Sequence, residues 1–271
     1  MMGKRFRLPT EIPLEEYPSS EEFIAEALDC VEEAEKEGIV LRIMGGMAIY
    51  LHSQEYENLW RMLGRLGERV FTDIDFASYG RYGDKLLKFF EKRGYSYDPR
   101  LLWHYGRQRQ IFFGGRVPMV EVFFDRLEMC HIINFKGRLE VDKPTLPPTE
   151  LMLQKLQIVE LNEKDIKDLI VLLRAHPVGM DDEDKINLSV LKSAGLMDDW
   201  GFWYTVTTNL RKVRESLRGY DVLSDEDVGV VDERIKRLLE FLEKEPKSLK
   251  WKMRARIGTK KKWYREVEDW F

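Results

Sequence analysis

The order of apolar and polar positions divides the chain into segments before any chemistry is considered. In SSEEFIAEALDCVEEAEKEG, residues 19 to 38, the positions Phe23, Ile24, Ala27, Leu28 and Val31 recur with helical period. Ser19 and Glu22 stand at capping-box spacing and Gly38 supplies the stop, so this segment predicts a helix. IVLRIM, residues 39 to 44, is rich in branched side chains and predicts a buried strand. Gly45 and Gly46 interrupt it, and MAIYLHSQEYENLWRML returns to a helical pattern. RVFTDIDFASYG predicts a second strand, Gly80 and Gly83 a loop, and DKLLKFFEKRG another helix. QIFF and VPMVEVFFD predict two further strands, joined around Gly114 and Gly115, which tolerate the positive φ of a tight hairpin. Pro118 belongs at a strand start or edge.

After the turn-rich DKPTLPPTE, the segments LMLQKLQIVEL and EKDIKDLIVLLRAH predict two helices split at Asn162. From about Val178 strand signals fade and helical ones dominate, as in DERIKRLLEFLEKE. The expected fold class is α+β: a mixed β-sheet packed by helices, followed by a mainly helical C-terminal region. The expected domains are residues 1–177 and residues 178–271, the second ending in a basic tail.

Composition changes this picture little. A length of 271 residues, 44% hydrophobic and 34% charged, describes a chain able to bury a substantial core. A net charge of -4 argues against indiscriminate binding of nucleic acid through charge alone. Cys30 and Cys130 lie far apart without CxxC spacing, so neither a disulfide framework nor a cysteine zinc site is expected, and a reducing cytoplasm fits best. Prolines and acids interrupt the start before an apolar run forms, which does not read as a signal peptide, and no apolar span is long enough for a bilayer. His52, His104, His131 and His176 show no HxxxH or HExxH spacing and read as structural or surface residues.

The candidate chemistry begins at FTDIDF, residues 71 to 76. On an extended strand Asp73 and Asp75 share a face, roughly 7 Å apart at their backbones, while Ile74 and Phe76 face the core. Two carboxylates this close raise each other's proton affinity unless a cation intervenes, and Mg²⁺ takes one or two carboxylates together with substrate phosphate oxygens. The plainer reading is two aspartates on the solvent face of a half-buried strand. An EF-hand is excluded, because its next ligand position is Ala77 and its required glycine is Ser78. Glu121 is a third carboxylate in apolar company, between Val120 and Val122, and needs a metal or a partner such as Arg109. Gly45 and Gly46, where a strand passes into a helix, would let phosphate oxygens approach backbone amides at the helix N-terminus, although most glycine pairs are tight turns.

Strand, GG, helix, DxD on the next strand and a lone acid on a later one resemble the DNA polymerase β-like nucleotidyltransferase superfamily. Within it, GGMAIYLH, RVFTDIDF, VEVFFD and LPPTELMLQKLQIVELNEKDIKDL are similar to the branch of AbiEii-type toxins and their relatives, over roughly Ile39 to Leu173. The resemblance implies a Mg²⁺-dependent transfer of a nucleoside monophosphate from an NTP such as ATP to a hydroxyl, with Mn²⁺ as an alternative ion. It implies that Gly45 and Gly46 hold the nucleotide phosphates and that Asp73, Asp75 and Glu121 hold the catalytic metal. It also implies that Glu121 can deprotonate the attacking hydroxyl, that Lys155 positions the nucleotide, and that Asp165 and Asp168 are associated with activity. Independently of any family, Asp165 stands three residues after Asn162, where it would stabilise a helix start. The chain departs from the superfamily's pattern in having Gly-Gly for the commoner Gly-Ser, Glu121 for the commoner aspartate, and a longer stretch between Gly46 and Asp73, expected to hold the helix EYENLWRMLGRL. The competing expectation is a non-catalytic module that binds a nucleotide or a protein on the same fold.

In the C-terminal half, Trp200, Phe202, Trp203 and Tyr204 lack interleaved basic residues and are expected to pack. Between Lys247 and Lys262 there are eight basic residues and no acid, with Lys250, Lys252, Arg254 and Arg256 alternating with Trp251, Met253, Ala255 and Ile257. This predicts an extended edge or amphipathic tail with a solvated cationic face, and if the acceptor is tRNA or another RNA, residues 247–262 are where it would run.

Overall fold

The computed structural model describes residues 6–65 and 70–267. In chain order come α1 (Ser20–Lys36), β1 (Leu41–Ile43), α2 (Gly45–His52), α3 (Glu57–Met62), β2 (Ile74–Ser78), α4 (Gly83–Lys92), α5 (Pro99–Tyr105), β3 (Arg109–Phe113) and β4 (Met119–Phe124). They continue with β5 (Arg126–Glu128), β6 (Ile132–Asn134), α6 (Pro148–Leu156), α7 (Glu163–Ala175), β7 (Val178–Gly179), β8 (Ile186–Asn187), α8 (Leu188–Leu191), α9 (Trp200–Ser216), α10 (Asp225–Lys244) and α11 (Leu249–Ile257). The fold is α+β, with a small mixed sheet and a helical C-terminal region. Among the described residues no helix is long and apolar enough to cross a membrane.

Two compact units divide the chain: Met1–Ala48, Gly67–Leu127 and Phe135–Leu146 form one, and Ile49–Leu66, Glu128–Asn134 and Pro147–Phe271 the other. The single cut expected at residue 177 is therefore drawn differently by the packing. Helices α6 and α7 bury Leu151, Met152, Leu169 and Ile170 completely and pack against α9 and α10, so they gather with the C-terminal helices.

The first unit is built on a four-stranded sheet in the order β1-β2-β4-β3. Strand β2 runs antiparallel to β1 and parallel to β4, and β3 closes the sheet antiparallel to β4. The β3–β4 hairpin turns at Gly114, whose φ is 72° and whose N–H donates to the carbonyl of Pro118 at 3.1 Å. The period-two pattern of the sequence decides the faces. Ile74, Phe76, Val120, Val122 and Phe112 are all completely buried, and Phe76 and Phe112 lie against Phe90 of α4 at ring-centroid distances of 6.3 and 4.5 Å. Ser19 caps α1 by accepting from the N–H of Glu22, whose carboxylate in turn accepts from Ser19 N–H at 2.8 Å. Glu26, buried on that helix, is held by Arg93 at 2.8 Å and by the Tyr95 hydroxyl at 3.1 Å, which offsets the cost of taking its charge out of water.

In the second unit α6, α7, α9 and α10 pack together. Asn162 caps α7 by accepting from Asp165 N–H at 3.0 Å. Trp200 and Phe202 are buried on α9, and Trp203 donates its indole N–H to the carbonyl of Leu242 at 3.0 Å. The basic segment, for which the sequence predicts an extended edge or an amphipathic tail, is helical over Leu249–Ile257 and so not the extended edge. Ser248 caps α11 by accepting from Trp251 N–H, and Trp251 meets Trp203 of α9 edge-on at 5.2 Å. Anchoring by one cap and one ring overrides a period-two pattern that leaves Leu249 and Met253 exposed.

Candidate functional site

The acidic face of the first unit follows from strand register. Asp75 of β2 is the direct partner of Glu121 on the neighbouring parallel strand β4. Paired residues on adjacent strands share a face and sit about 4.8 Å apart at their backbones, so these two carboxylates leave the sheet side by side. Asp73 precedes β2 by one residue and accepts from the Thr72 hydroxyl at 3.3 Å. Its charge reaches Glu121 and raises the proton affinity of that carboxyl. All three sequence-predicted acids therefore lie in one electrostatic neighbourhood, and the apolar residues between them form the opposite, buried face.

Glu121 is strongly perturbed. Burial pushes its carboxyl up from 4.5 to about 7, the charge of Asp73 pushes in the same direction, and Arg109 acts against both. Arg109 stands on the same face one strand over, because it pairs with Phe123. Its guanidinium lies 5.2 Å from the centre of the Tyr105 ring and 5.9 Å from that of Phe123. From there Nη1 reaches Glu121 Oε2 at 3.4 Å, which is long for a charge-assisted hydrogen bond. The arginine is thus the partner that the sequence reading named for Glu121, yet it does not compensate the burial of that carboxylate.

Gly45 completes the local geometry. It opens α2 with φ of 68°, and the N–H of Met44 beside it donates to the carbonyl of Asp75 at 2.9 Å. A Cβ at Gly45 would fall 2.8 Å from Asp75 Oδ2. A side chain here would both strain the backbone and displace the carboxylate, so glycine is required by this close approach. Gly46 follows as the second residue of α2. The oxygen donors Asp73, Asp75 and Glu121 suit a hard divalent ion such as Mg²⁺ or Mn²⁺. A carboxyl whose proton affinity is raised by uncompensated burial is one that a cation would return to its ionised form.

Lys155, Asp165 and Asp168 lie in the second unit and are engaged with one another. The ammonium of Lys155 contacts Asp165 Oδ1 at 2.8 Å and Asp168 Oδ2 at 2.9 Å. Burial, the largest single effect, pulls its proton affinity down, but the charges and hydrogen bonds of the two carboxylates together outweigh it and hold it above the ordinary lysine range. Arg65 adds a second cation, its Nε 2.6 Å from Asp168 Oδ1. Two cations and two anions thus neutralise each other in a buried cluster. Asp165 also sits in the first turn of α7, the helix-start position expected for it.

His131 is a buried structural histidine: its Nε2 lies 2.9 Å from Thr205 Oγ1 and its ring stacks on Phe202 at 5.1 Å. Burial pushes it down from 6.5 to about 4 despite the charge of Asp199. His52 and His176, by contrast, meet each other and Asp184. They are 124 positions apart in sequence, so no local motif could have announced them. Comparison of the chain with protein-family models, with curated proteins and with solved structures returned no match.

Proposed function

We propose that the first unit carries a divalent-cation-dependent nucleotidyltransferase centre, which moves a nucleoside monophosphate from an NTP to a hydroxyl acceptor. The observation that carries this reading is the β2–β4 register, which sets Glu121 beside Asp75, with the charge of Asp73 acting on Glu121 and Gly45 against the Asp75 carboxylate. Asp73, Asp75 and Glu121 would hold the ion. When bound, a Mg²⁺ ion would offset charge developing on the phosphate oxygens. The acceptor hydroxyl gives its proton to Glu121, its oxygen bonds to the α-phosphorus, and the bond from that phosphorus to the α–β bridging oxygen breaks, releasing pyrophosphate. Ionised beside the cation, Glu121 would carry the lone pair that takes this proton. Gly45 and Gly46 would leave room for phosphate oxygens at the start of α2. Lys155, Asp165 and Asp168 enter this reading as a clamp of the second unit, since their charges are already spent on one another. The cations of residues 247–262 suit tRNA or another RNA as the acceptor.

A second reading, a nucleotide- or protein-binding module without catalysis, is favoured by one observation, the approach of Arg109 to Glu121. One experiment separates the two. The protein is incubated with α-labelled NTPs, Mg²⁺ and pools of tRNA, protein or aminoglycoside, beside an Asp73→Ala/Asp75→Ala variant. Label transfer by the wild type alone supports the enzyme. Transfer that survives in the variant contradicts the mechanism, and metal-dependent nucleotide binding without transfer favours the module.

A further inference from the structure

His52 ends α2, His176 is the C-cap of α7, and Asp184 lies in the loop joining β7 to β8. One ligand atom from each lies within 4.8 Å of the other two. His176 Nδ1 is 3.0 Å from Asp184 Oδ1, and His52 Nδ1 is 3.8 Å from the same oxygen. The two imidazoles stand edge to face at a centroid distance of 5.3 Å. A tetrahedral ion with bonds of about 2.0 to 2.1 Å spaces its ligand atoms about 3.3 Å apart, and the two measured separations fall on either side of that value.

We propose that His52, His176 and Asp184 form a site in the second unit for one divalent transition ion of the zinc class, with the fourth position open to solvent. Two imidazoles and one carboxylate suit borderline ions such as Zn²⁺, Co²⁺ or Ni²⁺, whereas Mg²⁺ and Ca²⁺ seek oxygen throughout. This site is distinct in residues and in ligand chemistry from the acidic face of the first unit.

Two independent features of the cluster point the same way. Asp184 has φ of 54°, a left-handed backbone that a non-glycine residue adopts at some cost, and its side chain is 74% exposed yet turned onto the histidines. The loop's own cation does not neutralise it, because Lys185 Nζ is held by both oxygens of Asp181 at 2.8 and 2.9 Å. His176 makes its polar contacts through Nδ1, which lies 3.1 Å from the Asp184 carbonyl and faces the proposed ion. On binding, the Nδ1 proton moves to Nε2 and the freed lone pair takes the ion, with no net loss of a proton from that ring; the cost is an Nε2–H buried without an acceptor. The ion would act as a clasp, tying the 180–185 loop to the ends of α2 and α7.

The test uses the 271-residue chain carrying Asp73→Asn and Asp75→Asn, stripped of metal, so that the acidic face is left with Glu121 alone. Zn²⁺ is titrated by calorimetry, and Co²⁺ is added as a visible-absorption probe. One equivalent is expected to bind in the micromolar range or tighter, with tetrahedral Co²⁺ bands and a rise in melting temperature. Adding Asp184→Asn or His52→Gln should weaken binding at least about tenfold and abolish the thermal shift. Asp184 is exposed, so D184N should melt like its parent without metal. Absence of stoichiometric binding, or affinity unchanged by both D184N and H52Q, would overturn the proposal.

Discussion

Replacing Glu121 with Gln separates a functional carboxylate from a structural ion pair. In the folded chain its carboxyl titrates at about 7, against 4.5 when unperturbed, chiefly because burial disfavours the charge. Between those values the native state binds the extra proton, so stability contributed by this group is fully present below 4.5 and is lost as pH rises through about 7. At about 1.4 kcal/mol per tenfold change in proton affinity, the ionised form costs roughly 3 kcal/mol in the absence of a cation. Gln keeps the shape and carries no charge, so E121Q should gain on the wild type by up to about 3 kcal/mol between mildly acidic and mildly alkaline buffer. The pull of Arg109 on the ionised carboxylate is already contained in that shift. Urea unfolding in EDTA at several pH values measures the difference, and adding Mg²⁺ should narrow it by stabilising the wild type alone. If E121Q is instead less stable at every pH by about 3 to 5 kcal/mol, Glu121 and Arg109 form a structural buried ion pair and the reasoning fails.

Gly45→Ala should lose about 1 to 3 kcal/mol of stability and weaken divalent-ion binding together, since a Cβ there meets both a positive φ and the Asp75 carboxylate; unchanged melting and binding would refute the close approach. Lys155→Met leaves Asp165 without its 2.8 Å partner in a buried setting, and about 3 to 5 kcal/mol should disappear from urea unfolding. Lost nucleotide binding with intact stability would instead assign the lysine to a ligand. His131 is held below its unfolded value, so it should make stability fall as pH drops from 6.5 toward about 4, and His131→Asn should flatten that fall in acid-unfolding curves.

Local signals read the first unit well because its elements are set by short-range rules. The Ser19–Glu22 box, the turn at Gly114 and the alternation through Ile74 and Phe76 each act within a few residues, and each appears where the sequence puts it. That Asp75 and Glu121 share a metal is implied by the family resemblance, but their direct pairing is a matter of register, which depends on packing across 46 positions. The division of the chain was less legible. The helical patterns of α6 and α7 reveal an apolar face but not which partner covers it, and that face is covered by α9 and α10. In the same way, alternation in residues 250–257 leaves an extended edge and an amphipathic tail both open, and the helix that forms there carries the Ser248 cap and a contact with α9. The histidine cluster lay beyond any spacing rule, because its three members come from three separate elements.

The central claim is that Asp73, Asp75 and Glu121 hold one divalent ion together. Its most direct test is Mn²⁺ binding followed by electron paramagnetic resonance, on a D184N background that removes the histidine cluster. One ion should bind to that protein, more weakly in E121Q and not at all in D73N/D75N, and NTP should tighten it wherever it binds. Mn²⁺ titrations that superimpose for all of these proteins would contradict the account.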